Sequence, residues 1–140
     1  MTAIIDYGVG NLFSLRSSFA AIGEEAIVTG ESGKILDADR VILPGVGAFA
    51  AAYAKLCEHG MDEAVRRAVA RGKPVMGICL GMQLLFERSY AYGAPPRLGP
   101  LQGEVVGLEG RVPSGLPLSH LGWNALPLTP PRGVRQHVNA

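Results

Sequence analysis

The stretch Lys73-Pro74-Val75-Met76-Gly77-Ile78-Cys79-Leu80-Gly81-Met82-Gln83-Leu84-Leu85-Phe86-Glu87 decides the fold. An apolar run entered by a proline comes first, and Leu80, Leu84 and Leu85 follow at helical spacing, so the stretch predicts strand, tight turn and helix. Cys79 falls at the turn. Gly77 and Gly81 flank it, giving Gly-x-Cys-x-Gly, the cysteine counterpart of the Gly-x-Ser-x-Gly nucleophile elbow. Such a turn leaves no room for a Cβ on either side of the nucleophile and holds the nucleophile itself in a strained backbone region. A helix starting after Cys79 aims its unpaired N–H groups and the positive end of its dipole at the sulfur, the setting of a reactive thiol. The N–H of Leu80 is the natural donor to an oxyanion formed when that sulfur attacks a carbonyl. A packing role is the commoner fate of a free cysteine; both glycines, the strand before and the helix after weigh for the nucleophile.

Working outward, residues 40–43 form another apolar run, and it leads into Pro44-Gly45-Val46-Gly47. The proline keeps Leu43 extended, and two glycines let the following backbone bend and present its N–H groups, as an anion-binding loop must. Residues 48–59 and 61–71, closed by Gly60 and Gly72, predict two helices. Cys57 lies in the first of them and reads as a packing cysteine, and His59 at its end reads as dipole compensation. At the start of the chain, Ala3-Ile4-Ile5 predicts a strand, Tyr7 to Asn11 a turn, and Leu12, Leu15, Phe19 and Ile22 one face of a helix ended by Gly23. Gly8-x-Gly10 there is not a dinucleotide fingerprint, because Phe13 stands where the third glycine belongs; no cofactor and no metal are expected. Residues 25–28 predict the remaining early strand, with a short helical turn around Ile35 and Leu36. The alternation gives an α/β fold, a parallel sheet with helices on both faces.

After Arg88 the pattern changes. Residues 90–103 carry Pro95, Pro96 and Pro100 with several glycines and read as a loop. Residues 104–108 and 123–126 read as later strands, with an antiparallel arrangement open to them. The helix of the elbow is expected to continue to Glu87, residues 1–128 to form the domain, and residues 129–140 to be a frayed tail.

Composition narrows the function. At 140 residues the chain can bury a core without staples, and with 48% hydrophobic and 18% charged residues it is not a disordered chain. A formal net charge of +1 and the absence of a basic run argue against nucleic acid, and no apolar run is long enough to span a bilayer. Two cysteines in contrasting contexts and a start without a basic signal region point to a reducing cytoplasm.

The elbow Gly77 to Gln83, the segment Pro44-Gly45-Val46-Gly47-Ala48-Phe49 and the opening Asp6-Tyr7-Gly8-Val9-Gly10-Asn11 closely resemble class I glutamine amidotransferases. His120-Leu121-Gly122-Trp123-Asn124 narrows the likeness to the glutaminase subunits of imidazole glycerol phosphate synthases, over residues 1 to about 128. The resemblance implies a flavodoxin-like amidotransferase fold with Cys79 as nucleophile toward the glutamine side-chain amide. It implies oxyanion donors at Leu80 and the Val46–Gly47 peptide, and glutamine contacts at Gly47 and Gln83. It also implies a heterodimer with a (β/α)₈-barrel cyclase subunit that uses the released ammonia in histidine biosynthesis, with Asn11, Trp123 and Asn124 facing that partner. In one respect the sequence departs from the resemblance. The family's later His-Pro-Glu segment, source of the histidine base and its orienting glutamate, does not occur in the 140 residues, and His59, His120 and His137 do not match it. The chain is therefore expected to be incomplete at its C-terminus and nearly inactive alone. Two other readings stay open: an inactive chain that retains a partner-binding surface, and an unrelated cysteine hydrolase.

Overall fold

The computed structural model describes residues 1–89, 98–119 and 122–125. Its elements follow from the apolar periods. Strand β1 (Thr2–Ile5) is buried at every position, the mark of a strand covered on both faces. Helix α1 (Leu12–Ala21) starts at Asn11, whose side chain accepts a hydrogen bond from the Ser14 N–H at 3.1 Å. Strand β2 (Ala26–Thr29), helix α2 (Ser32–Asp37) and strand β3 (Arg40–Leu43) follow. Helices α3 (Phe49–Glu58) and α4 (Met61–Ala70) are separated by Gly60, whose left-handed φ of 64° turns the chain between them. Strand β4 (Val75–Gly77) then leads through Cys79 into helix α5 (Leu80–Leu84).

The four strands form a parallel sheet in the order β2-β1-β3-β4. From β1 the chain moves outward to β2, and from β3 it moves the other way to β4, so the loops after β1 and β3 diverge. That divergence opens a crevice at the carboxyl ends of these strands, where sites in open α/β sheets collect. Ala3, Ile5, Val41 and Leu43 turn into one core with Ile35 of α2, Leu56 of α3, Val65 of α4 and Leu84 of α5. The alternate residues Ile4 and Ile42 are buried but outside that core, as the two-residue period of a strand requires. Helix α1 packs on β1 and β2 without one fully buried side chain. Burying a large aliphatic side chain contributes about 1.5–3 kcal/mol, so α1, with Leu12, Leu15 and Phe19 only half-buried, adheres far less firmly than α3 or α4.

Past the elbow the structure corrects the sequence reading. The helix expected to reach Glu87 stops at Leu84, and Phe86–Ser89 is strand β5. Leu84, Leu85 and Phe86 are all buried, and three consecutive residues of a helix spread over about 200° and cannot share one core face. Leu84 closes α5, Leu85 turns the chain with right-handed helical backbone, and only Phe86 lies in extended chain, where it is buried as the first residue of β5. Strand β5 pairs in parallel, not antiparallel, with β6 (Leu101–Val105), which begins inside the stretch read as loop and ends before Leu108. The register shifts between Phe86 and Arg88. Gly103, at φ 120°, lies so near the Phe86 ring that a Cβ would stand 3.4 Å from it, so a glycine fits this irregularity.

Two compact units result, Met1–Val106 and Gly107–Ala140. The described part of the second holds turns, among them Arg111 N–H to Leu108 C=O (3.0 Å) and Leu116 N–H to Pro113 C=O (3.2 Å). Residues 123–125 are not a strand. Leu126 and the expected tail 129–140 lie outside the described residues.

Candidate active site

At the carboxyl end of β4 the chain folds back so tightly that backbone touches backbone. The Ile78 N–H donates to the Leu43 carbonyl at 3.0 Å, and the Met82 and Gln83 N–H groups donate to the Cys79 carbonyl at 3.0 and 3.3 Å. A Cβ on Gly81 would overlap the Leu43 carbonyl oxygen, and a Cβ on Gly77 would collide with the Met82 backbone. Glycine is required at both positions. Cys79 itself has φ 55° and ψ −119°, and among the described residues it is the sole non-glycine with positive φ. Backbone held this way costs about 1–3 kcal/mol and persists only where its surroundings enforce it. Here the interlock enforces it, and Cys79 is left exposed. With five residues, α5 aligns few peptide dipoles, so backbone geometry and exposure distinguish Cys79 more than helix polarity does.

The loop after β3 closes against the elbow from the other side. A Cβ on Gly45 would strike the Gly81 nitrogen, so these two glycines let the loop and the elbow meet. Pro44 is buried and lies between the elbow and the β1–α1 turn, where a Cβ on Gly10 would come within 2.9 Å of the Pro44 Cβ. Val46 is 54% exposed, and Gly47 has φ 85°. Among the described residues the N–H groups of Val46, Gly47 and Leu80 have no backbone acceptor.

Cys79, Ile78, Pro44, Gly45 and Val46 line an open groove of about 190 Å³ whose far wall is Asn11, Ser14, Leu15 and Ser18 of the α1 end. Of the expected site residues, the structure thus brings Cys79, Val46 and Asn11 to one groove. Leu80, the next residue and the first of α5, is buried. Gly47 and Gln83 do not line the groove; Gly47 is exposed on the loop and Gln83 is half-buried on α5. Trp123 and Asn124 belong to the second unit, where both are exposed. His120 and His137 lie outside the described residues. His59 lines a different, polar cavity with Asp6, Tyr7, Gly8 and Gly30.

Cys57 is not the packing cysteine its context suggested: it is exposed at the end of α3. The buried stripe of α3 is Phe49, Ala52, Tyr53 and Leu56, and Cys57 falls about a quarter turn off its centre. Even so, desolvation of the sulfur, followed by the nearby Asp62 carboxylate, pushes the Cys57 thiol pKa up. Sequence reasoning missed Tyr7, treated there as part of a turn. Its phenol O–H donates to the Pro44 carbonyl at 2.7 Å inside the core, and burial pushes its pKa up to about 12. The signal was the two-residue period Ala3, Ile5, Tyr7, which carries the ring to the core face.

A strained cysteine at a strand-to-helix turn, opposed by a glycine loop at the carboxyl edge of a parallel sheet, defines a class of protein. The chain belongs to the class-I glutamine amidotransferase family, whose sequence model matches residues 3–124. Within that family it is similar to imidazole glycerol phosphate synthase subunit HisH of several bacteria. Identity is 49% over 121 residues with the protein of Symbiobacterium thermophilum, covering 86% of this chain and 55% of that one. For Sulfurimonas denitrificans it is 45% over 127 residues (90% and 61%), and for Aquifex aeolicus 45% over 126 residues (89% and 59%). The chain thus spans between 55% and 61% of the length of these relatives. A crystal structure of a glutamine amidotransferase superposes with a TM-score of 0.63 at 23% identity over 73% of this chain and 54% of that one, which shows the shared fold. No helix among the described residues is long and apolar enough to cross a membrane.

Proposed function

We propose that Cys79 is the nucleophile of a glutaminase that supplies ammonia to imidazole glycerol phosphate synthesis. The observation that carries this is the Cys79 backbone, held at φ 55° by glycine contacts between the elbow and the loop after β3. The Cys79 sulfur adds to the side-chain amide carbon of glutamine, and the carbonyl oxygen becomes an oxyanion facing the Leu80 N–H and the Val46–Gly47 peptide. Collapse, with the proton released by the thiol passing to the amide nitrogen, expels ammonia and leaves a γ-glutamyl thioester, which water hydrolyses to glutamate and the free thiol. Gln83 and Gly47 hold the substrate's remaining polar groups. The partner is a (β/α)₈-barrel cyclase subunit that consumes the ammonia, met by a surface that includes Asn11, Trp123 and Asn124. Residues 1–128 make up the amidotransferase domain, and residues 129–140 a tail outside it. A sulfur that must stay reduced to act fits the cytoplasm.

The test is to trap the thioester. With glutamine and hydroxylamine the chain is expected to form γ-glutamyl hydroxamate, and Cys79→Ser to form none; equal yields from both would sink the proposal. A second reading, a partner-binding chain without turnover, has one observation in its favour: among the described residues no histidine lines the Cys79 groove. A general acid–base group contributes about 10²–10⁴ in rate. These 140 residues alone should therefore release glutamate slowly, with or without the cyclase.

A further inference from the structure

Tyr7 stands 37 residues from Pro44 in sequence, yet its phenol O–H reaches the Pro44 carbonyl at 2.7 Å with the ring only 1% exposed. Pro44 opens the loop in which Gly45 abuts the elbow, Val46 lines the groove beside Cys79 and Gly47 follows. Two glycines within three residues leave the peptides of that loop free to rotate, because neither carries a Cβ to limit φ and ψ. The wedge of Gly45 against Gly81 limits where the loop lies but does not fix the rotation of its peptide planes. A hydrogen bond to the carbonyl of Pro44 does, since it sets the plane of the Pro44–Gly45 peptide from which the rest of the loop departs. No other hydrogen bond involves that carbonyl among the described residues.

We infer that Tyr7 is a positioning residue of the oxyanion loop: its phenol latches the Pro44 carbonyl and thereby orients the Val46 and Gly47 N–H groups toward a tetrahedral adduct on Cys79. This rests on the glutaminase reading given above. With its pKa at about 12 the phenol keeps its proton, and so remains a donor, across any working pH. A merely structural tyrosine would stabilise the chain without influencing how Cys79 treats a carbonyl.

Two reagents separate these roles. A glutamine-shaped chloromethyl ketone alkylates Cys79 with formation of a sulfur–carbon bond, loss of chloride and charge gathered on the ketone oxygen in transit. Methyl methanethiosulfonate forms a sulfur–sulfur bond and expels methanesulfinate, with no charged carbonyl oxygen. The ratio of their rates at Cys79, read by peptide mapping of the 140-residue chain, reports the loop N–H groups and cancels changes in sulfur exposure. In Tyr7→Phe the ratio should fall about tenfold, the size of one hydrogen bond's net effect, and p-aminophenylalanine at position 7, which restores a donor, should recover it. Tyr53→Phe, which loses a phenol that accepts from Arg66 and makes no hydrogen bond to the loop among those described, should leave the ratio unchanged. An unchanged ratio in Tyr7→Phe, or an equal fall in Tyr53→Phe, overturns the inference. Should Tyr7→Phe fail to fold, 3-fluorotyrosine at position 7 keeps the shape and strengthens the donor, and a ratio that does not move by about twofold overturns it instead. If the wild-type chain itself shows no preference for the ketone beyond that of a free thiol, the glutaminase reading fails, whatever Tyr7 does.

Discussion

The chain has two cysteines, both exposed, and they differ in nearly everything else. Cys79 stands on backbone that its neighbours force into φ 55°, between a strand and a helix, facing a loop with N–H groups to spare. Cys57 sits at the end of a regular helix beside Tyr53 and Asp62, where desolvation and a carboxylate raise its thiol pKa. The comparison teaches that exposure alone does not make a nucleophile. What separates the two is a backbone contact network built from glycines at 45, 77 and 81.

The sharpest way to break the contrast is to fill that network. Gly81→Ala puts a methyl group onto the Leu43 carbonyl, and the chain should lose about 3 kcal/mol in chemical denaturation along with ketone labelling of Cys79, while a thiol probe still finds Cys57. Wild-type stability with labelling intact would show that the interlock is not what holds the elbow. Next in size is an effect of alkali on the loop's anchor. Tyr7 has its folded pKa raised from the ordinary 10 to about 12, so its contribution is complete below pH 10 and is lost as pH rises through 12. That corresponds to about 2–3 kcal/mol, and Tyr7→Phe should show correspondingly less alkaline loss between those limits in melting curves.

A smaller effect tunes the other cysteine. Because only the thiolate reacts and the Asp62 carboxylate helps keep Cys57 protonated, its alkylation should set in at higher pH than that of an ordinary thiol. Asp62→Asn should speed it about threefold to tenfold at pH 8 and leave Cys79 as it was; no change would assign the shift to desolvation alone. The smallest expected effect on the fold is Trp123→Ala. The indole is fully exposed, so melting should move by less than about 0.5 kcal/mol, whereas association with the cyclase subunit, followed by calorimetry, should weaken. Undiminished association would remove Trp123 from the proposed interface.

These contrasts also show what could be read before the structure. The elbow was legible because its determinants are local: Gly77, Cys79 and Gly81 lie within five residues, and the apolar run and helical spacing beside them have one reading. Pro44 to Gly47 was legible for the same reason, as were strands β1 to β4. The fold failed to be legible where local signals were ambiguous. Leu84-Leu85-Phe86 suits a helix or a strand, and its partner, Leu101–Val105, was hidden by Gly103 and the prolines before it. Cys57 looked like core because alanines and Leu56 surround it in sequence, although the helical period carries it off the buried stripe. The Tyr7 bond spans 37 residues, and no window of sequence contains both ends.

A glutamine-shaped electrophile distinguishes the two thiols most directly. Treated with a substoichiometric chloromethyl ketone at neutral pH, digested and mapped by mass spectrometry, the wild-type chain should carry one adduct, on Cys79, with Cys57 unmodified. Adducts mainly on Cys57, or spread equally over the two exposed thiols, would contradict that distinction.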